Sequence, residues 1–304
     1  MSDALAPLPG PLPGDDDVEL AVEAAQDTAQ GVAAIGRVIA AGARGAALLD
    51  RRVLAGPLDP CGECELCRRG GAPVCPRARR RGAIGPSRRI IAAARWLVPL
   101  GDGLELPSPA GAAVAGDVAL AYTMYARTGI GPREPTVVVG EAPVARFLVE
   151  ILRAKGAPPV VVADPAREAW IAWLGARGAG VARAGASADD AATDDAARAA
   201  VTAELAARSA GARPWRILAA SPDAARRAAA LAGPRATLTL LAPAHGARGD
   251  LPGDLVAREV TVIGVAGAHP DLVVEAAAMC VKGEIDLHDG TSTQPSDLMR
   301  ALVY

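Results

Sequence analysis

Apolar and polar positions are distributed differently in the two parts of the chain. Up to about residue 117, short strand-like apolar runs at 18–22, 37–41 and Arg89–Ala93 are separated by Pro and Gly, the texture of a small β-rich unit. Beyond it, compact apolar runs alternate with segments of helical spacing. Thr136–Val139 reads as a strand, 143–155 carries its apolar residues on one helical face with Pro at the first turn, and 159–163 reads as a second strand. These three form a βαβ unit. The same reading predicts a helix over 167–174, a weak strand near 180, an Ala/Asp-rich helix over 189–208 and a strand over 215–219. A helix over 222–231, strands over 236–241 and 260–265 and an apolar helix over 273–281 follow. Residues 184–200 are low in complexity and read as a surface helix with flanking loops. Strands alternating with helices at this spacing imply a parallel sheet covered on both faces.

A length of 304 residues suits two domains. Apolar residues make up 51% of the chain, yet no run reaches the roughly 18 residues a membrane span requires, so a soluble protein without a membrane partner is expected. The N-terminal stretch MSDALAPLPGPLPGDDD has no basic region leading into an apolar one, which makes the cytoplasm the expected compartment. With 32 basic and 34 acidic residues the formal charge is −2, which argues against a nucleic-acid partner. The local run Arg77, Arg79, Arg80 and Arg81 reads either as a solvated rim or as a docking patch for an anion. Lys155 and Lys282 are the chain's two lysines, leaving few candidates for Schiff-base chemistry.

Four of the five cysteines fall in CGECELCRRGGAPVC, spaced C-x2-C-x2-C-x7-C as Cys61, Cys64, Cys67 and Cys75. Four thiolates at short spacing can wrap one tetrahedral Zn²⁺ in a loop with no core behind it, filling every coordination position, so the site would be structural. Gly62, Gly70 and Gly71 supply turns. An iron–sulfur cluster also uses C-x2-C-x2-C, and Cys75-Pro76 echoes a ferredoxin ending, although the last gap is seven residues rather than three. Metal-free thiols are the third reading. Cys280, inside the apolar 273–281 segment, reads as a core residue.

The loop DPCGECELCRRGGAPVC resembles the structural-zinc lobe of medium-chain alcohol dehydrogenases and reductases. RRIIAAARWLVPLGDGLELP resembles the close of that family's first domain, and TVVVGEAPVARFLVEILRAKGAPPVVVAD its dinucleotide-binding βαβ unit. VTVIGVAGAHPDLVVEAAAMCVKGEIDL resembles its passage back from the nucleotide domain, so the likeness covers nearly the whole chain. It implies an α/β protein: a GroES-like β-rich domain over 1–116 with a zinc lobe at 61–75, completed by 268–304, and a Rossmann-type doubly wound parallel-sheet domain over 117–267.

The family's catalytic apparatus departs. Where members with a catalytic zinc carry Gly-His-Glu followed two residues on by Gly, this chain reads Gly31-Val32-Ala33-Ala34-Ile35-Gly36. No cysteine precedes Cys61, and the segment that would hold one is shortened. Asp117 corresponds to a third ligand position, and one carboxylate cannot make a zinc site, so no catalytic metal is expected. The phosphate turn reads Gly140-Glu141-Ala142-Pro143-Val144-Ala145. In a G-x-G-x-x-G turn the second Gly lets the backbone approach the pyrophosphate and the third packs helix on strand. Ala142 adds a methyl, Ala145 is an accepted variation, and Glu141 adds negative charge. Asp164, 24 residues after Gly140, is placed to accept hydrogen bonds from the adenosine ribose, favouring NAD over NADP, or to cap a helix beginning at Pro165-Ala166-Arg167.

Hydride transfer also needs a group for the substrate oxygen. His269, Asp117, Tyr122 and Tyr125 are the candidates, His269 foremost because Gly264–His269 would pass the nicotinamide; His245 and His288 read as loop residues. The resemblance implies a zinc-independent, NAD(P)-linked oxidoreductase acting on a small alcohol or carbonyl substrate. Its rival is a non-catalytic descendant serving as a binding or scaffold protein, with side chains such as Val32 or Leu120 filling the cleft. Under either reading a homo-oligomer, dimer or tetramer, is expected through the strands at 236–241 and 260–265.

Overall fold

The computed structural model describes residues 13–28, 30–101, 105–184, 191–208, 213–242 and 253–287. His245, His288, the end of the 268–304 segment and the first two positions of the helix expected over 189–208 lie outside the described residues.

The first part of the chain forms β1 (Asp17–Thr28), β2 (Gly31–Ala41), β3 (Arg52–Ala55), β4 (Leu58–Asp59), the one-turn helix α1 (Glu65–Arg68), β5 (Arg79–Arg80), β6 (Arg89–Ala93) and β7 (Leu97–Pro99). β1 buries Val18, Leu20 and Val22 on alternate positions, the period of a strand with one face on a core. Its five-stranded antiparallel sheet has the order β6-β1-β2-β3-β7, while β4 and β5 pair separately beside the cysteine loop. β1 and β2 run longer than the apolar pattern predicts. They stay paired to Thr28 opposite Gly31, through Ala-rich stretches that carry little strand signal.

A helical segment then leads to the second sheet: α2 (Ser108–Ala113), a π-helical turn (Val114–Val118) and α3 (Ala119–Thr128). Gly129, with φ 66°, closes α3 in the left-handed conformation common at helix ends. There follow β8 (Thr136–Val139), α4 (Pro143–Ala154), β9 (Val160–Ala163), α5 (Glu168–Ala176), β10 (Gly180–Arg183), α6 (Ala191–Arg208), β11 (Arg216–Ala219), α7 (Ala225–Leu231), β12 (Thr237–Leu241), β13 (Thr261–Val265) and α8 (Pro270–Val281). All six strands are parallel, in the order β10-β9-β8-β11-β12-β13. That is the doubly wound 3-2-1-4-5-6 order of Rossmann sheets. β8 and β9 are buried at every position, as expected of strands covered on both faces.

Separate apolar clusters lie on the two faces of this sheet. One holds α4 residues such as Leu148 and Leu152 with the linking helix, α8, and Ile35 and Leu54 of the first sheet, so both lobes share a core. The other includes Ala197, Val201 and Leu205 of α6. That four-residue spacing gives α6 a buried stripe, so the segment read as a surface helix is seated on the sheet. No helix among the described residues is long and apolar enough to cross a membrane.

Candidate functional site

The four cysteines of the loop converge. Their sulfurs all lie within 4.8 Å of one another, with Sγ–Sγ separations of 3.5 Å (Cys61–Cys75), 3.8 Å (Cys64–Cys75) and 4.0 Å (Cys61–Cys67). Corners of a tetrahedron with Zn–S bonds of about 2.3 Å are about 3.8 Å apart, so the sulfurs are spaced to hold one tetrahedral ion. A disulfide would bring two of them to about 2 Å, and thiolates around a cluster of several irons would spread wider, each on its own metal. The Cys61 thiol is lowered to about 6 by hydrogen bonds from the Glu63 and Cys64 backbone, whereas burial raises Cys67 to about 12. Gly62 (φ +74°) and Gly70 (φ +80°) take left-handed conformations that make the turns, and a Cβ on Gly62 would strike the Arg95 guanidinium at 2.2 Å. Gly71, at φ −85°, needs no such freedom.

Of the arginine run, Arg77, Arg79 and Arg80 follow the loop on or near the surface, but Arg81 does not belong to a solvated rim. It is 7% exposed and pairs with the equally buried Asp59 (Nη2 to Oδ1, 3.0 Å), while its Nε donates to the Gly56 carbonyl at 3.2 Å. The Arg81 carbonyl in turn accepts from Val32 N. The pair thus ties the cysteine loop's exit to the start of β2.

An apolar cleft of about 40 Å³ is walled by Gly56–Leu58, Ala72 and Pro73 of the cysteine loop, Trp96, and Gly267, Ala268 and Val273 from the passage after β13, so nearly all of its lining comes from the first lobe and the returning segment. This holds a few waters at most, so a ring-sized ligand enters only if the walls move. Pro73 lies 3.3 Å from where a Cβ on Gly267 would be, so the cysteine loop forms one wall of this cleft against the passage after β13. Val32 and Leu120 are buried (6% and 2% exposed) without lining it.

His269 caps α8 beside the cleft. Its Nδ1 accepts from Asp271 N at 3.4 Å, and its ring meets the cleft-lining Trp96 edge-on at 6.1 Å. Asp117 lies in the π-helical turn, 5% exposed, and accepts from Gln26 Nε2 at 2.6 Å; burial pushes its carboxyl up to about 6. The turn is packed against the end of β1, since a Cβ on Gly116 would fall 2.8 Å from Thr28 and 3.1 Å from Ala33. Tyr122 donates to Glu275 Oε2 at 2.5 Å, and burial with that bond raises its hydroxyl above the usual range. This fastens α3 to α8 and uses the hydroxyl proton. Tyr125 packs at 5.8 Å from the Tyr122 ring, its hydroxyl also raised by burial. The candidates therefore do not form one constellation. Among the described residues, the four cysteines are the one group of three or more His, Cys, Asp or Glu placed to hold a metal.

The second site is at the C-terminal ends of β8 and β11, where the sheet's winding reverses and α/β sheets bind ligands. Gly140 has φ +114°, and a Cβ there would meet Ser221 Oγ at 3.3 Å and Ala224 at 3.5 Å, so glycine is needed at the turn's first position. Ala142, at φ −65° and ψ 160°, holds an extended conformation open to any residue and precedes Pro143 at the first turn of α4. Pro143 has no N–H, so this helix start offers a phosphate one donor fewer than usual. Val144 and Ala145 are buried (3% and 0% exposed) where the helix meets the sheet. Asp164 Oδ1 accepts from Ala166 N at 2.9 Å, a local turn and not a helix cap, since α5 begins at Glu168 with Arg167 at its N-cap position and no side-chain cap. Glu141, whose direction the sequence does not disclose, turns toward this same corner. Its Oε1 accepts from Asp164 N at 3.0 Å and its Oε2 pairs with Arg167 Nε at 3.0 Å.

Sequence reasoning missed a further buried acid, Glu150 on α4. Fully buried, it pairs with Arg153 (2.8 Å) and Arg177 (3.1 Å), and Arg177 also reaches Asp286 at 2.6 Å. Its position on the apolar face of an otherwise regular helix is the signal that could have found it.

No protein-family model matches the chain. Solved structures do. A short chain alcohol dehydrogenase from Escherichia coli CFT073, complexed with NADH, is similar over 91% of this chain and 83% of its own, with 16% identity and a TM-score of 0.71. Galactitol-1-phosphate dehydrogenase from Escherichia coli covers 92% and 85% at 18% identity, TM-score 0.71. A cobalt- and zinc-bound thermostable alcohol dehydrogenase from Pyrobaculum aerophilum covers 91% and 83% at 17% identity, TM-score 0.71. The fold is accordingly that of the alcohol dehydrogenases, a GroES-like lobe on a Rossmann sheet.

Proposed function

We propose that this chain is an NAD(P)-linked oxidoreductase that interconverts a small alcohol and its carbonyl without a catalytic zinc. The observation that carries the reading is the reversal point of the parallel sheet, where Gly140 opens a turn facing Ser221 and leads into α4. The likeness in fold to an NADH-bound alcohol dehydrogenase supports it. A dinucleotide would lie across this crevice, its adenosine ribose near Asp164 and its pyrophosphate near Gly140, Ala142 and the Pro143–Ala145 helix start. The nicotinamide it carries would supply or take the hydride.

The remaining work falls to the chain's own side chains. Cys61, Cys64, Cys67 and Cys75 would hold a structural zinc, and the zinc would keep Ala72 and Pro73 in the wall of the cleft. Val32 and Ala33 offer no ligand atoms where zinc-dependent relatives carry His and Glu, so a proton donor must meet the substrate oxygen. His269 is best placed: Asp271 occupies its Nδ1 side, with its backbone N at 3.4 Å and its Oδ2 at 3.3 Å, which leaves Nε2 to meet the substrate oxygen. The chain would work as a homo-oligomer with copies meeting at β13, the edge strand; β12 lies inside the sheet, paired on both sides.

The narrowness of the cleft favours one second reading, a dinucleotide-binding protein without turnover. Absorbance at 340 nm with a panel of aldehydes and ketones plus NADH, and of alcohols plus NAD, separates the two. Turnover of at least one carbonyl is expected, with His269→Phe losing at least about tenfold in kcat while NADH affinity is kept. Binding without turnover on any substrate would favour the second reading, and absence of binding would remove both.

A further inference from the structure

The corner between β8 and β9 holds an arrangement that a dinucleotide turn does not need. Glu141 spans from the turn to the end of β9, its two carboxylate oxygens taken by the Asp164 backbone N–H and the Arg167 guanidinium, each at 3.0 Å. Asp164 stands beside it with its own carboxylate held by Ala166 N at 2.9 Å, and Arg167 N returns to the Asp164 carbonyl at 2.9 Å. An open depression adjoins this corner, lined by Glu141, Ala166, Arg167, Glu168, Ala169 and Trp170. Arg167 is therefore the cation of a corner that also contains three carboxylates, Glu141, Asp164 and Glu168.

In doubly wound sheets the adenosine ribose reaches the end of the second strand, where an acid accepts its 2′-hydroxyl or a nearby arginine takes a 2′-phosphate. Asp164 and Arg167 are both at that place, three residues apart, and would favour opposite cofactors. Glu141 resolves the conflict. A guanidinium already paired with a carboxylate has little attraction left for a phosphate, and a second carboxylate beside Asp164 repels one. The Arg167 side chain is 68% exposed and that of Glu141 26%. Both groups are thus reachable by a ligand in the depression.

We propose that the Glu141–Arg167 ion pair is a selectivity element that admits dinucleotides with a free 2′-hydroxyl and excludes those with a 2′-phosphate. The proposal rests on the dinucleotide-binding reading above. It goes beyond that reading by assigning the choice of cofactor to Glu141, in the phosphate turn, rather than to Asp164 alone.

The test is a calorimetric titration of the wild type, Glu141→Gln, Arg167→Ala and the double variant with NADH and with NADPH at one ionic strength. Emission of Trp170 on the wall of the depression gives a second readout, and thermal melts confirm that each protein is folded. Glu141→Gln should tighten NADPH by about tenfold while changing NADH by less than about threefold, and adding Arg167→Ala should abolish the gain. Wild-type binding of NADH with no selective change in Glu141→Gln would overturn the selectivity element and leave the dinucleotide reading standing. Equal tightening of both cofactors would also overturn it, since Glu141 would then be a plain obstruction. If none of the four proteins binds either cofactor, both readings fall.

Discussion

Asp117 offers the sharpest quantitative handle on the joint between the lobes. Its carboxyl is 5% exposed, and burial raises it from an ordinary 3.8 to about 6. A raised carboxyl binds its proton more tightly in the folded chain than in the unfolded one, so stability falls as pH climbs from below 4 through 6. Integrating between these two values gives a loss of about 0.5 kcal/mol at pH 4, about 1.6 at pH 5 and about 3 at pH 8. Donation from Gln26 Nε2 at 2.6 Å favours the charged form, which makes these figures ceilings. Asp117→Asn keeps an acceptor for Gln26 and removes the ionisation. The variant should exceed the wild type by about 0.5 kcal/mol at pH 4 and by up to about 3 kcal/mol at pH 8. Urea unfolding followed by far-ultraviolet circular dichroism, for both proteins across that range, measures the difference while other titrating groups cancel. A difference that stays constant within about 0.5 kcal/mol from pH 4 to 8 would refute the reasoning, because the carboxylate would then ionise in the fold at no cost.

Other consequences are as definite. Cys64→Ser should lower bound zinc from one per chain to none by elemental analysis and speed proteolysis within 61–75, because the loop has little core of its own. Arg81→Met should cost about 3–5 kcal/mol by leaving Asp59 buried and unpaired, and Asp59→Asn added to it should recover most of that loss in a double-mutant cycle. Glu150→Gln should fall near the lower end of the same range, since Arg153 and Arg177 keep some access to water; chemical denaturation at neutral pH decides it.

The parts of the molecule that were readable in sequence are those whose cause is local. Thr136–Val139 and Arg89–Ala93 form strands over the residues expected; the first is a β-branched run bounded by Pro135 and Gly140, and the second is built on Ile90 and Ile91. The cysteine spacing states its geometry in fifteen residues. What stayed hidden depends on partners far apart in the chain: Gln26 meets Asp117 across 91 positions, Arg81 meets Asp59 across 22, and Tyr122 reaches Glu275 across 153. The π-helical turn at Val114–Val118 likewise carries no recognisable composition, being set by what packs on it. Alanine-rich pieces such as β2 and α6 were misjudged in extent or burial, since a residue with so small a side chain marks neither face of an element clearly.

The central claim is that the crevice at the ends of β8 and β11 takes a dinucleotide. Calorimetric titration of the zinc-loaded wild-type protein with NADH tests it most directly. One site per chain with micromolar affinity, lost when Gly140 is changed to Ala, is the predicted result. No heat and no change in tryptophan emission at millimolar NADH, with the protein folded, would contradict it.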